Sequence, residues 1–253
     1  MSGDFDLTGK VCVVTGAGRG IGRGIGRGMA EGLARNGAFV VLAGRTRATL
    51  QEVAAAIGDR AMVQIADVSK EADVVALRDA ALARHGKIDV LVNNAGVDPI
   101  FKGIERISLE EWQNIIDINL TGLFLCCKHI GGAISEGGSV INVSSVAGHV
   151  GLIRSVPYCA SKGGAELLTK ALAIDWASRG VRVNTLAPGW VDTDLTHGLL
   201  NHEVHGQRML SGTPMGRFGT PKDMAGGVVF LASDASAFMT GQSLVIDGGW
   251  TAA

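Results

Sequence analysis

Short apolar runs alternate along the chain with stretches whose apolar residues recur at three- and four-residue spacing, the patterns of buried strands and of helices lying on them. Val11-Cys12-Val13-Val14 is the first run, and residues 38–43, 61–66, 88–92, 139–143, 181–186 and 244–246 are the others. Between them the spacing predicts helices over 47–57, with Leu50, Val53, Ala54 and Ile57 on one face, over 71–84, and over 109 to about 134, with Trp112, Ile115, Ile116 and Leu120 apolar. Further helices are predicted over about 156–178 and 222–232. Strands traded with helices in this way imply parallel strands joined by right-handed crossovers, with helices on both faces of one sheet. The predicted fold class is α/β: one doubly wound domain over residues 1–253, with a seven-stranded, mainly parallel sheet. A span near 190–219 has little periodicity and three of the six histidines; a connection that long predicts a lid or substrate loop.

Ligands of such sheets bind beyond the carboxyl ends of the strands. The residues there are Gly16 onward, Gly44-Arg45, Asp67-Val68, Asn93-Asn94-Ala95-Gly96, Ser144-Ser145 and Pro188-Gly189. The first is a glycine-rich turn, TGAGRGIGRGIGRG, running from Thr15 to Gly28. Such a turn brings unpaired backbone N–H groups and the positive end of a helix to a strand edge, and the missing Cβ atoms let a pyrophosphate approach. The stretch repeats itself: Gly18-Arg19-Gly20-Ile21 and Gly22-Arg23-Gly24-Ile25 are the same four residues in tandem. Two registers follow. Either Gly16, Gly20 and Gly22, with Arg19 and Ile21 between them, line the phosphate, or Gly20, Gly24 and Gly26 do so after a turn four residues longer.

Composition narrows the partners. The net charge is −1, from 23 basic and 24 acidic residues, so there is no field for nucleic acid or an anionic membrane and phosphate recognition must be local. The four cysteines, at 12, 126, 127 and 159, lack metal-ligand spacing and lie in apolar or helical stretches, which predicts packed, reduced thiols in a cytoplasmic protein and no metal site. The start is polar and acidic, and no apolar run reaches the ~18 residues of a membrane span. Neither export nor membrane insertion is expected.

At the end of the second strand a carboxylate would pair with the adenosine ribose of NAD, and an arginine would accommodate the 2′-phosphate of NADP. The run ends Ala43-Gly44-Arg45, with no carboxylate. Arg45, helped by Arg19 or its copy Arg23, points to NADP over NAD.

Tyr158, the sole tyrosine, and Lys162 lie one helical turn apart, after the serine pair Ser144-Ser145 that ends the fifth strand. A phenol with an unperturbed pKa near ~10 is protonated at neutral pH, and a fixed ammonium nearby is expected to lower it toward the range useful for proton transfer. A serine hydroxyl facing the same substrate oxygen would orient it.

These residues carry a resemblance. The sequence resembles the short-chain dehydrogenase/reductase family of about 250-residue chains, over nearly its whole length. The matching residues are Thr15-Gly16 with the following glycines, Asp67, Asn93-Asn94-Ala95-Gly96, Asn119, the serine, Tyr158-x-x-x-Lys162, Pro188-Gly189, Thr193 and Ile246-Asp247-Gly248-Gly249. The resemblance implies a Rossmann domain and reversible hydride transfer between NADP(H) and a secondary alcohol or ketone. It implies Tyr158 as acid/base, Lys162 lowering its pKa and holding the nicotinamide ribose, Ser145 (with Ser144 as the alternative) orienting substrate, and Asn119 holding a proton-relay water. Asp67 and Val68 would contact adenine. Asn94, Ala95 and Gly96 would face the adenosine side, and Pro188, Gly189, Val191 and Thr193 the nicotinamide side. It also implies a homotetramer with the last helix and strand at an interface.

The family pattern exposes the repeat as a departure. Read from Thr15-Gly16 to Gly22 the pattern is met, but the distance on to Gly37 is four residues too long; read back from Gly37 to Gly26 it is met, and four residues are extra after the strand. Four added helical residues turn the chain by about 400° and lengthen it by about 6 Å, keeping Ile21, Ile25, Met29 and Leu33 near one face. They also put glycines 22, 24, 26, 28 and 32 inside a helix, at about 1 kcal/mol each relative to alanine. We adopt the first register, with Gly16, Gly20 and Gly22, because Thr15-Gly16 then stays joined to its strand. Substrate contacts are expected from Val97, Asp98, residues 149–154, Trp190 and the loop around 196–215. The alternative reading is a catalytically weak dinucleotide-binding sensor or scaffold.

Overall fold

The computed structural model describes residues 3–253 except 19–20, 99 and 194–195, and in the first helix leaves out the side chains of 21–23. Seven strands, β1 Val11–Thr15, β2 Phe39–Gly44, β3 Ala61–Ile65, β4 Val90–Asn93, β5 Ser139–Val143, β6 Arg182–Pro188 and β7 Ser243–Ile246, form one sheet in the order β3-β2-β1-β4-β5-β6-β7. Every pairing is parallel. The chain winds outward from β1 to β3, then returns to lay β4 on the other side of β1. A crevice therefore opens above the β1/β4 junction, where the winding direction switches.

Alternation within each strand divides the interior into two cores. Cys12 and Val14 face the layer of α1 (Ile21–Arg35), α2 (Arg47–Ile57) and a later helix over Pro221–Ala232; Val11 and Val13 face the opposite layer. That layer holds α3 (Glu71–His85), α4 (Leu109–Ile116), α5 (Gly122–His129) and α6 (Val156–Trp176). Cys12, Cys126 and Cys127 are buried in these cores and all four cysteines are free thiols.

Two predicted elements differ. The helix expected over 109–134 is interrupted: α4 passes into a π-helical turn over Asp117–Thr121 before α5 begins, and a short 3-10 turn over Gly131–Ala133 replaces its end. The capping box that starts α4 is strong, Ser108 Oγ accepting from Glu111 N and Glu111 Oε2 accepting from Ser108 N. The extra residue of the π turn re-aims the helix face without breaking the apolar spacing, so periodicity could not reveal it. The span near 190–219 is not irregular throughout, since it contains α7 (His197–Leu200) and α8 (Glu203–Ser211). The helix Pro221–Ala232, α9, is entered through Thr220 and Asp223, whose side chains cap its first turn reciprocally.

Helix α1 begins at Ile21, as the first register requires. Among the described residues it also approaches the β1 turn closely at Gly26, which the second register names. A Cβ there would stand 2.6 Å from Gly16 O and 2.7 Å from Asn94 Nδ2. Two residues on, a Cβ at Gly28 would meet Pro221 O at 2.6 Å. The glycines that weaken this helix by propensity thus let it lie directly against the β1 turn and α9, where buried Ile25, Met29 and Leu33 pack.

Candidate active site

A cleft of about 250 Å³ lies at the carboxyl ends of β1 to β4, lined among others by Gly16, Gly18, Arg45, Asp67, Val68, Ala95 and Gly96. Gly16 takes the left-handed conformation, φ 64°, which turns the chain sharply out of β1. Thr15 and Asn94 stitch the floor together. Thr15 Oγ1 accepts from Asn94 N (3.0 Å) and Ala95 N (3.1 Å), while Asn94 Nδ2 donates to Thr15 O (2.9 Å) and Gly16 O (3.1 Å). Asn94 is therefore first a fastener between β1 and β4. Arg45 is exposed at the rim, and Asp67 Oδ1 accepts from Ser69 N and Oγ, fixing its carboxylate beside Val68. Arg19 and Gly20 lie outside the described residues.

The serine, tyrosine and lysine stand next to this cleft, at β5 and α6, and adjoin it through Gly96. Ser155 precedes α6 and Pro157 occupies its first turn, where proline is tolerated, so Tyr158 projects from the first turn and Lys162 from the next. Lys162 Nζ donates to Val143 O at 2.8 Å and stands 5.6 Å from the Tyr158 ring centre. Ser145 Oγ accepts from Ala147 N at 3.2 Å, whereas Ser144 Oγ turns back to Lys162 O. The π turn delivers Asn119 to the same place, with Oδ1 accepting from Val97 N (2.8 Å) and Nδ2 donating to Val97 O (2.9 Å) and Ser161 Oγ (3.2 Å). The Asn119 side chain clamps the 96–98 loop onto α6. Gly96 lies between them, where a Cβ would stand 3.3 Å from Asn119 Oδ1 and 3.7 Å from Lys162 Nζ.

The electrostatics correct one expectation. Burial pushes the Tyr158 phenol well above its ordinary value; the Asp98 carboxylate pushes the same way, and a hydrogen bond with Ser145 pulls it down. Lys162 does not offset that rise, and burial lowers the lysine itself to about 8, against the pull of Asp98 and Glu166. Desolvation outweighs the lysine charge that sequence reasoning relied on. Burial likewise raises Asp98 to about 6, with Lys162 pulling it down.

Where the resemblance expects the nicotinamide, Gly189 N donates to Ile246 O, and Val191 pairs with Gly219 in an isolated parallel bridge. Thr193 is buried at the start of α1, since a Cβ on Gly24 would touch Thr193 Cγ2 at 2.8 Å. Pro188 ends β6. His149, offered by the sequence as a substrate contact, is engaged elsewhere: its Nε2 lies 3.1 Å from Glu166 Oε1 and 3.0 Å from Ser243 Oγ. Arg154 lies over the Phe101 ring, 5.7 Å from its centre. Gly28, which lets α1 lie against Pro221, was missed as a packing residue, and Gly26 was named only in the second register.

A glycine turn at a switch point, near a buried serine, tyrosine and lysine, is the arrangement of a dinucleotide-dependent oxidoreductase of alcohols. A family model described as Enoyl-(Acyl carrier protein) reductase matches residues 20–251. The chain belongs to the short-chain dehydrogenase/reductase family. It is 42% identical over 252 residues to a D-threitol dehydrogenase of Mycolicibacterium smegmatis, covering 98% of this chain and 95% of that one. It is 41% identical over 248 residues to a cis-4-hydroxycyclohexanecarboxylate dehydrogenase of Sinomonas cyclohexanicum, covering 96% and 97%. Among solved structures, a gluconate 5-dehydrogenase from Burkholderia cenocepacia J2315, in complex with NADP and tartrate, superimposes with a TM-score of 0.92 at 36% identity, covering 99% of this chain and 98% of that one.

Proposed function

We propose that this chain interconverts a secondary alcohol and a ketone with NADP(H), using Tyr158 as acid/base. The observation that carries the reading is that Asn119 and Lys162 stand beside Gly96 and Val97, which line the cleft above the glycine turn, with Tyr158 one turn from Lys162 and Ser145 at the end of β5. The cleft suits a dinucleotide: Gly96 leaves open the space a Cβ would fill beside Lys162, and Gly16, Gly18 and Ala95 line the cleft with small residues. When bound, the nicotinamide supplies or takes up the hydride.

Tyr158 Oη exchanges a proton with the substrate oxygen, and Ser145 Oγ orients that oxygen. With burial holding its phenol protonated, Tyr158 is ready to donate to a ketone oxygen. Alcohol oxidation draws the same proton back. Lys162 holds the nicotinamide ribose, and Asn119 positions the 96–98 loop and the relay water. Asp67, Val68, Asn94, Ala95 and Gly96 serve the adenosine side; Pro188, Gly189, Val191 and Thr193 serve the nicotinamide side. Arg45, with no carboxylate at the end of β2, supports NADP over NAD, and the gluconate 5-dehydrogenase complexed with NADP is consistent with that choice.

Exposed apolar side chains support a homotetramer. Phe124, Leu167 and Ile174 stand on α5 and α6, and Phe238 and Val245 lie at the last strand. Free thiols suit a cytoplasmic protein, and no helix among the described residues is long and apolar enough to cross a membrane.

The experiment is a panel of ketones and secondary alcohols assayed with NADPH or NADP and with NADH or NAD. Turnover with kcat/KM favouring the phosphorylated cofactor is expected. A preference for NADH would overturn the role of Arg45. Tight dinucleotide binding without turnover of any carbonyl would favour a sensor.

A further inference from the structure

A second polar cluster lies where α6, β6 and β7 meet. Glu166, on α6 one turn past Lys162, is buried. Its Oε2 accepts from Thr185 Oγ1 of β6 at 2.9 Å, and its Oε1 accepts from Ser243 Oγ of β7 at 3.3 Å. The same Oε1 lies 3.1 Å from His149 Nε2, which is 3.0 Å from Ser243 Oγ. A carboxylate only accepts, and the Ser243 hydroxyl donates to it, so His149 Nε2 carries a proton and donates as well.

His149 closes a short hydrogen-bonded turn that begins at Ser145. Ala147 N donates to Ser145 Oγ, Gly148 N to Ser145 O at 2.8 Å and His149 N to Val146 O at 2.9 Å. The turn rests directly on α6, because a Cβ on Gly148 would stand 3.0 Å from Lys162 O and 3.1 Å from Glu166 Cγ. Ser145 thus stands at one end of a turn whose other end is tied to Glu166. Stability alone does not account for the carboxylate, since apolar residues of similar volume hold a buried place as well or better. Thr185 and Ser243 are already register partners in the sheet. His149 is the partner through which Glu166 holds a segment outside it.

Resting on the alcohol–ketone reading above, we propose that His149 and Glu166 are a positioning pair, whose hydrogen bond holds the Ser145 turn on α6 and so sets the place of Ser145 Oγ relative to Tyr158. The serine bonds to the Tyr158 phenol, and both address one substrate oxygen. In such a site a displacement of about 1 Å is costly. Glu166 also favours the charged form of Lys162, so the test is made on His149, which leaves that charge in place.

Wild type, His149→Ala and His149→Gln, each with and without Ser145→Ala, are compared in single-turnover reduction of cyclohexanone, butane-2,3-dione and erythrulose by NADPH. His149→Ala should slow reduction about tenfold, the low end for a hydrogen bond to a charged group, because the His149 side chain is 32% exposed. His149→Gln, whose amide also donates, should stay within about threefold of wild type. With Ser145→Ala already present, His149→Ala should slow reduction less than about twofold, because its effect passes through the serine. Amide exchange over residues 144–150, read by mass spectrometry, should quicken in His149→Ala and not in His149→Gln, with thermal melting showing both folded. A tenfold loss that persists in the Ser145→Ala background would mark a general structural role and overturn the pair. So would a folded His149→Ala that reduces ketones within about twofold of wild type, or unchanged exchange over 144–150. Failure of wild type to reduce any ketone would instead overturn the oxidoreductase reading, and the positioning role with it.

Discussion

At the β1 end of the cleft the chain carries a four-residue tandem repeat and joins α9 through a row of glycines; at the β5 end nearly every polar group of the site has a named partner. Lys162 is fixed by Val143 O, Asn119 by Val97 and Ser161, and Ser145 by Ala147 N. A phosphate turn recognises through backbone N–H groups, which any residue supplies, so extra residues alter its shape before they abolish its chemistry. A proton-transfer site works through particular side-chain atoms, where a displacement of about 1 Å is costly. On the proposed function, the repeat therefore bears on cofactor affinity, and the tyrosine on turnover.

The largest expected effect breaks the catalytic side. Tyr158→Phe should lower kcat by about 10³-fold or more while the Kd for NADPH, followed by fluorescence, stays within a few-fold; near-normal turnover would remove Tyr158 from its role. Next comes packing at the phosphate side. Gly26→Ala forces a Cβ to within 2.6 Å of Gly16 O and should cost about 1–3 kcal/mol in a denaturant titration. Its control is Gly226→Ala on the exposed face of α9, where a Cβ meets nothing within 4 Å; it should gain up to about 1 kcal/mol. Equal effects at the two positions would show that α1 does not approach β1 so closely. Deleting residues 20–23, one copy of the repeat, should tighten NADPH binding about tenfold by returning the helix start to the Gly24–Gly26 approach, with kcat changed only a few-fold. Unchanged or weaker binding would mean that the added turn is neutral or helps hold the phosphates.

The sheet was legible because parallel strands buried on both faces read as continuous apolar runs. β5 was predicted over its observed bounds, and α2 likewise. The placement of the proposed catalytic pair was legible because Tyr158 and Lys162 fall one turn apart on one helix. Other features depend on contacts between distant segments. The π turn at Asp117–Thr121 hides inside an unbroken apolar spacing, yet it aims Asn119 at Val97. Glycines 24, 26, 28 and 32 looked like a cost to α1, and only the positions of α9 and the β1 turn show why that cost is offset. The raised phenol of Tyr158 and the raised carboxyl of Asp98 both follow from burial, which no spacing records.

The central claim is hydride transfer at this cleft, and isotope transfer tests it directly. NADPH carrying deuterium at both C4 positions is incubated with the chain and a ketone panel, and the alcohol products are analysed by mass spectrometry. The account predicts product alcohols with one deuterium on the carbinol carbon, formed by wild type and suppressed in Tyr158→Phe. Bound NADPH with no deuterated alcohol from any ketone would contradict it.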